Sequence, residues 1–205
     1  MADHDGLEIY FSPNNDVPAV DQKNLFEVFK LSETVKNLSI RFYGGAAFPN
    51  WLGNPSSMKN ITSLLLTDCS YCELLPPLGQ LSLLEHLVLE NFSVVAIVGH
   101  EFFRSDVTDC KLFQSLKTLK FERMPEWEDW ELLEEEAGVP LPCLQELYLI
   151  NCPKLEGDLP KFLPSLLKLV ISNCPQLAAA VPRTPPRCIV TLQNCDKVLN
   201  RGDYV

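Results

Sequence analysis

The chain has 205 residues, with 17 Lys and Arg against 27 Asp and Glu and a formal net charge of −10, which disfavours a nucleic-acid partner because phosphate affinity comes from clustered bases. A hydrophobic content of 46% supplies apolar material for a core and excludes disorder of the whole chain. Sixteen prolines against nine glycines exclude a plain helical bundle and predict frequent turns. In chain order, residues 1–20, including Ser12–Pro18, follow no repeat and predict a flexible N-terminal segment. Asp21–Leu31 predicts a short helix carrying apolar Leu25, Phe26, Val28 and Phe29.

From there one spacing recurs. Ile61-x-x-Leu64-x-Leu66-x-x-Cys69 is matched by Leu84/Leu87/Leu89/Phe92, Leu116/Leu119/Phe121/Met124, Leu144/Leu147/Leu149/Cys152 and Leu166/Leu169/Ile171/Cys174. Degenerate copies lie at Val35/Leu38/Ile40 and at Val190/Leu192/Cys195. Equivalent positions at 38, 64, 87, 119, 147, 169 and 190 are 26, 23, 32, 28, 22 and 21 apart. Leucine-rich repeats run about 20–29 residues on this pattern, so the interval of 32 predicts an insertion, near 94–110. The expected fold is an α/β right-handed leucine-rich-repeat solenoid over 21–198, about seven irregular repeats, followed by a tail at 199–205. A parallel sheet lines its concave face, with irregular or short helical segments on the convex side.

Strand alternation sends the two leucines of each copy inward and the residues between them outward. The outward positions form three columns. The first is Asn37, Ser63, His86, Thr118, Glu146, Lys168 and Ile189; the middle is Ser39, Leu65, Val88, Lys120, Tyr148, Val170 and Thr191; the third is Arg41, Thr67, Glu90, Glu122, Ile150, Ser172 and Gln193. Leu65 with Val88, and Tyr148 with Ile150 and Val170, make two apolar spots of the composition that protein-binding centres use, although scattered exposed apolar residues also need no special explanation. His86, Lys120, Glu122, Glu146 and Lys168 complete the candidate face.

The charge is uneven. Residues 122–136 hold eight acids (Glu122, Glu126, Glu128, Asp129, Glu131, Glu134, Glu135, Glu136) against Arg123, while 137–205 hold five acids and seven bases. That segment reads as a solvated loop or as an acidic docking loop for a basic surface, with Trp127 and Trp130 packing on the convex side. Eight cysteines raise a disulfide framework, but the Met1–Gly6 start has no signal-peptide features and no apolar run reaches membrane-span length. The expectation is a cytoplasmic chain with free thiols and no membrane span. Cys69, Cys152, Cys174 and Cys195 recur at the coil exit, where a structural, buried thiol donates to neighbouring carbonyls as Asn does in other repeats. Cys69 and Cys72 lack the second pair a zinc site needs, so no metal or other cofactor is expected. Sequons at Asn37, Asn60 and Asn91 bear only on a secreted chain. His4, His86 and His100 come with no nucleophile elbow or orienting group, so no catalytic residue and no enzyme activity is assigned. Arg201-Gly-Asp203 is read as a chance tripeptide.

Five ordered segments carry a closer resemblance: Leu38–Leu52 with its Phe-Pro-Asn-Trp-Leu end, Leu74–Leu81, Gly99–Phe103, Phe113–Trp130 and Leu147–Leu155. Over residues 21–195 the chain resembles the repeat region of plant coiled-coil nucleotide-binding leucine-rich-repeat disease resistance proteins. The resemblance implies a module that binds a pathogen effector or modified host protein and restrains the nucleotide-binding domain of a parent receptor. No G-x-x-x-x-G-K-S/T loop or heptad run occurs in these residues, so the chain is expected to be a piece of a receptor or a truncated product. The alternative is a stand-alone or secreted repeat inhibitor, for which the single step Leu155–Pro160 is the sequence argument.

Overall fold

The computed structural model describes residues 5–12, 19–103, 112–131 and 141–198. Its elements are β1 (Gly6–Tyr10), α1 (Ala19–Glu27), β2 (Asn37–Arg41), β3 (Ser63–Thr67), β4 (His86–Glu90), β5 (Ile97–Val98), α2 (His100–Phe103), β6 (Thr118–Glu122), β7 (Asp129–Trp130), β8 (Glu146–Ile150), β9 (Lys168–Ser172) and β10 (Ile189–Gln193). Eight strands form one sheet in the order β1-β2-β3-β4-β6-β8-β9-β10. All of its pairings are parallel, with Leu38, Leu64, Leu87, Leu119, Leu147, Leu169 and Val190 in one register line. The chain is therefore an α/β leucine-rich-repeat solenoid.

From β2 on, each coil of the sheet is closed by the residue directly after its strand. Phe42, Asp68, Asn91, Arg123, Asn151, Asn173 and Asn194 all have left-handed φ between 53° and 60°. At that conformation the backbone N–H of each of the first six reaches the last strand residue of the following coil, as in Asn91 N to Glu122 O at 2.9 Å and Asn173 N to Gln193 O at 2.8 Å. Asn and Asp tolerate this region best, and their side chains join the coils. Asn91 Nδ2 donates to Asp68 Oδ1 at 2.5 Å, Asn173 Nδ2 to Asn151 Oδ1 at 2.7 Å and Asn194 Nδ2 to Asn173 Oδ1 at 2.6 Å.

The inward leucines of the inner strands are buried. At the N-terminal end Phe26 packs edge-on to Trp51 and Phe11, and Trp51 Nε1 donates to Phe26 O at 2.8 Å. Gln22 of α1 is buried and accepts from Gly44 N at 2.9 Å, so α1 is fastened to the coil that follows it. The expected insertion is not a free excursion in its described part. Phe102 and Phe103 of α2 are buried, and Phe102 O accepts from Leu78 N and Gly79 N at 3.0 and 3.2 Å.

One expectation is corrected here. Residues 6–10, placed outside the repeats, form β1 and pair in parallel with β2 from Gly6↔Asn37 to Tyr10↔Arg41. Leu7, Ile9 and Phe11 alternate like any strand of the sheet and pack against the core, but no apolar residue precedes them at the repeat spacing.

Replacing Asn173 by Ala removes two ladder bonds and forces Ala into a left-handed conformation, an expected loss of about 2 kcal/mol. Thermal unfolding should show Tm lowered by roughly 4–8 °C, with Asn173→Gly recovering the conformational part; an unchanged Tm for the Ala variant would show that the ladder adds nothing. A Cβ on Gly79 would lie 2.2 Å from Phe103 O, so Gly79→Ala should cost about 1–3 kcal/mol through displacement of α2. The same melting measurement checks it.

Candidate functional site

The register brings the proposed columns together. In the middle column Leu65 pairs with Val88, Val88 with Lys120, Lys120 with Tyr148 and Tyr148 with Val170. Glu122 stands beside Ile150, and His86, Glu146 and Lys168 share the first column through Thr118. Leu65, Val88, Tyr148, Ile150 and Val170 are half-buried and His86 is exposed, because neighbouring side chains at the sheet spacing of about 4.8 Å shade one another. β1 extends the columns with Gly6, Glu8 and Tyr10, and Tyr10, 61% exposed, lies 5.0 Å ring to ring from Phe42.

Charge on this face is paired within the sheet. Lys120 forms an ion pair with Glu122, and Arg123 bridges Glu90 and, at 3.1 Å, Glu122. Arg41 binds Glu8 at 2.7 Å, and Lys117 binds Glu85 at 2.8 Å and so holds that carboxylate below its ordinary pKa. Tyr148 donates its hydroxyl to Glu146 at 2.7 Å, and Lys168 Nζ stands 5.1 Å over the Tyr148 ring, a cation–π contact. His86 Nδ1 is 3.2 Å from Thr118 Oγ1, and its Nε2 is 4.0 Å from Glu85. Glu85 is committed to Lys117, which leaves it a weak orienting group for the imidazole.

The acidic segment is more structured than a loop. Trp127 and Trp130 are buried against Phe121, with ring centroids 4.7 and 5.5 Å away. β7 pairs in parallel with β5 through Ile97↔Asp129 and Val98↔Trp130. Glu126 is tied to Lys154 at 2.5 Å, whereas Glu128, Asp129 and Glu131 are exposed. The expectation of an acidic loop is thus corrected for 126–131: the two indoles, 127 and 130, anchor it as a turn and strand. Glu134, Glu135 and Glu136 lie outside the described residues.

Cys69, Cys152, Cys174 and Cys195 are buried and free. Each donates Sγ–H to the carbonyl two residues earlier, at 3.6, 3.5, 3.5 and 3.1 Å, and Cys174 also reaches Leu149 O of the preceding coil at 3.6 Å. Burial pushes Cys69 up to about 12 and raises Cys72 further, whose thiol donates to Gly45 O at 3.0 Å. The contact between Cys152 and Cys174 raises the former and lowers the latter. Cys110 and His4 lie outside the described residues. The polar ladder between coils is carried by the residue before each cysteine, Asp68, Asn151, Asn173 and Asn194, a recurrence visible in the sequence and assigned there to the thiols. Beside this ladder a cleft of about 350 Å³ is lined by Asn91, Arg123, Pro125, Asn151, Pro153 and Asn173. Among the described residues no group of three or more His, Cys, Asp or Glu is placed to hold a metal, and no helix is long and apolar enough to cross a membrane.

Residues 5–92 match the family of R13L1/DRL21 leucine-rich repeats. The chain is 41% identical over 146 residues to At3g14460 of Arabidopsis thaliana, a protein named for disease resistance, covering 71% of this chain and 10% of that one. It is 36% identical over 158 residues to the disease-resistance RPP13-like protein 1 of Arabidopsis thaliana, covering 74% of this chain and 15% of that one. It is 31% identical over 155 residues to disease resistance protein RGA2 of Solanum bulbocastanum, covering 69% and 15%. The chain thus spans between a tenth and a seventh of the length of these relatives. No solved structure gives a significant match.

The thiols give a pH prediction with a definite sign. Cys69 is raised from 9.0 to about 12, so above pH 9 the unfolded chain loses a proton that the folded chain keeps. Its stabilising contribution is complete below pH 9 and is lost as pH rises towards 12, at about 1.4 kcal/mol per pH unit. Urea unfolding between about pH 9 and 10 should show the onset of this fall, and Cys69→Ala should have a slope shallower by about 1 kcal/mol per pH unit in that window. Equal slopes would place Cys69 in contact with water.

Proposed function

This chain belongs to the leucine-rich-repeat region of plant nucleotide-binding leucine-rich-repeat disease resistance proteins, and from that premise we propose that its sheet face is a protein-binding module of plant defence. The module binds a pathogen effector or a modified host protein and, in a full-length receptor, restrains the nucleotide-binding domain. The reading assigns it no catalytic step and a cytoplasmic setting, for which the buried free thiols are suited.

The observation that carries the reading is the middle column. Leu65, Val88, Lys120, Tyr148 and Val170 lie in one register line across five coils, with the aromatic Tyr148 between Lys120 and the aliphatic Val170 and a second aliphatic pair at Leu65 and Val88. Because the neighbouring ions are already paired with one another, a partner meets amphipathic, locally neutral patches and desolvates few unpaired charges on docking. Tyr148 is held by Glu146 and Lys168, so little side-chain freedom is lost when a partner covers it. The exposed carboxylates Glu128, Asp129 and Glu131 supply a second, electrostatic contact with a basic surface of the nucleotide-binding domain.

Affinity of the purified chain for the nucleotide-binding domain of the RPP13-like relative, measured by calorimetry, separates the two surfaces. Tyr148→Ala, Val170→Ser and Lys120→Glu should each weaken binding by about tenfold or more, as for centrally placed interface residues. Unchanged affinity in all three overturns the sheet-face reading. Lysine at 128, 129 and 131 together should reduce the association rate and flatten its salt dependence; retention of both removes the acidic strip from the interface.

A further inference from the structure

The ladder of side-chain amides has a missing rung. Each bond in it runs one way, from an Nδ2 to the Oδ1 of the preceding coil: Asn91 to Asp68, Asn173 to Asn151, and Asn194 to Asn173. At the coil between Asn91 and Asn151 the ladder position is Arg123, whose φ of 54° is the same as its neighbours'. A guanidinium accepts no hydrogen bond, and this one turns out of the ladder to Glu90 and Glu122. Among the described residues no side-chain bond joins Asn91 or Asn151 to this coil, so Asn151 Nδ2 and Asn91 Oδ1, both on half-buried side chains, are open to a group arriving from solution. They flank the gap on either side, two coil spacings or about 10 Å apart by backbone. The cleft of about 350 Å³ opens at that point, with both asparagines and Arg123 in its wall and Pro125 and Pro153 beside them.

We propose that this gap is a binding slot for a primary carboxamide, the side chain of an Asn or Gln presented by a protein partner. An inserted carboxamide accepts from Asn151 Nδ2 through its oxygen and donates to Asn91 Oδ1 through its nitrogen, which makes the run of amides continuous from Asn91 to Asn194. A carboxylate does not fit: it has no donor for Asn91 Oδ1, and Arg123 is already neutralised by two glutamates, so an added negative charge meets Glu90 and Glu122. The proline rings form rigid walls against the methylenes of the inserted side chain. The slot lies at the strand-exit rim and uses none of the column residues varied above. It names a partner chemistry for the sheet-face reading without depending on it, and a test with a small amide isolates it.

The experiment is titration of the ¹⁵N-labelled chain with propionamide, read on the side-chain NH₂ signals of Asn91 and Asn151, with propionate at matched ionic strength as the control. Saturable shifts of both signals with propionamide and none with propionate are expected. Arg123→Asn supplies the missing rung from within; it should raise Tm by about 2–5 °C, since Asn also suits the left-handed backbone, and abolish the propionamide shifts. Asn151→Asp keeps the acceptor for Asn173, loses the donor, and should abolish the shift at Asn91. No shift in the wild-type chain, equal shifts with propionate, or undiminished shifts in both variants would overturn the slot, while leaving the column variants to decide the sheet face on their own.

Discussion

A left-handed residue after each main-sheet strand from β2 to β10 is what lets the chain coil and stack at once. With φ near 55° at Phe42, Asp68, Asn91, Arg123, Asn151, Asn173 and Asn194, the backbone turns away from the sheet while its N–H still reaches the neighbouring coil. For an ordinary L-residue that conformation costs about 1–2 kcal/mol, and five of the seven positions lower the cost by using Asn or Asp. The two exceptions are held by other means. Phe42 packs its ring on Tyr10 of β1, and Arg123 is fixed by two carboxylates. Inward leucines then stabilise a stack whose register these residues have already set.

The same geometry decides how charge behaves. Adjacent strands stand about 4.8 Å apart, close enough for ion pairs between coils, and the sheet uses them: directly across in Glu85 with Lys117, and on the diagonal in Glu8 with Arg41 and Glu90 with Arg123. Being partly exposed, such pairs add little stability each. Their larger effect is to leave the sheet face nearly neutral although the chain carries −10. Negative charge is concentrated instead around β7, where Trp127 and Trp130 take the inward positions and Glu128, Asp129 and Glu131 remain exposed.

The strands were legible because period and alternation are both strong: the three columns written from Leu-x-x-Leu-x-Leu spacing are those of the observed register from β2 to β10. β1 was not, since Leu7 and Ile9 have no preceding Leu-x-x to announce them and the segment lies far from the next copy. Its pairing is a tertiary fact. At 126–131 the packing of the two indoles and the outward carboxylates were legible, but the pairing of β7 with β5 was not, because a two-residue strand leaves no alternation to read. The ladder was present in the sequence as Asp or Asn before Cys69, Cys152, Cys174 and Cys195, but one sequence cannot divide a role between adjacent recurring residues. Only the hydrogen bonds separate the amide that joins coils from the thiol that fills the interior.

Because each strand of the sheet pairs only with its immediate neighbours, the energetics are close to a sum of coils and the contacts between them. Within the described residues, β1 and β10 differ in how they are packed. At the N-terminal end Phe11, Phe26, Tyr43 and Trp51 form a connected aromatic group under β1 and α1, and Gln22 closes a buried backbone donor. At β10 Ile189 is 66% and Val190 37% exposed, and its coil is joined to the preceding one by the backbone and by the Asn194–Asn173 and Lys197–Gln176 bonds. Among the described strands β10 is thus the least buried, and a partner that spans β8 to β10 covers more exposed apolar surface there than one that sits on β3 and β4. The Tyr148–Val170 patch therefore lies beside the exposed Ile189 of β10, so a contact there can extend over adjoining apolar surface that the Leu65–Val88 patch lacks.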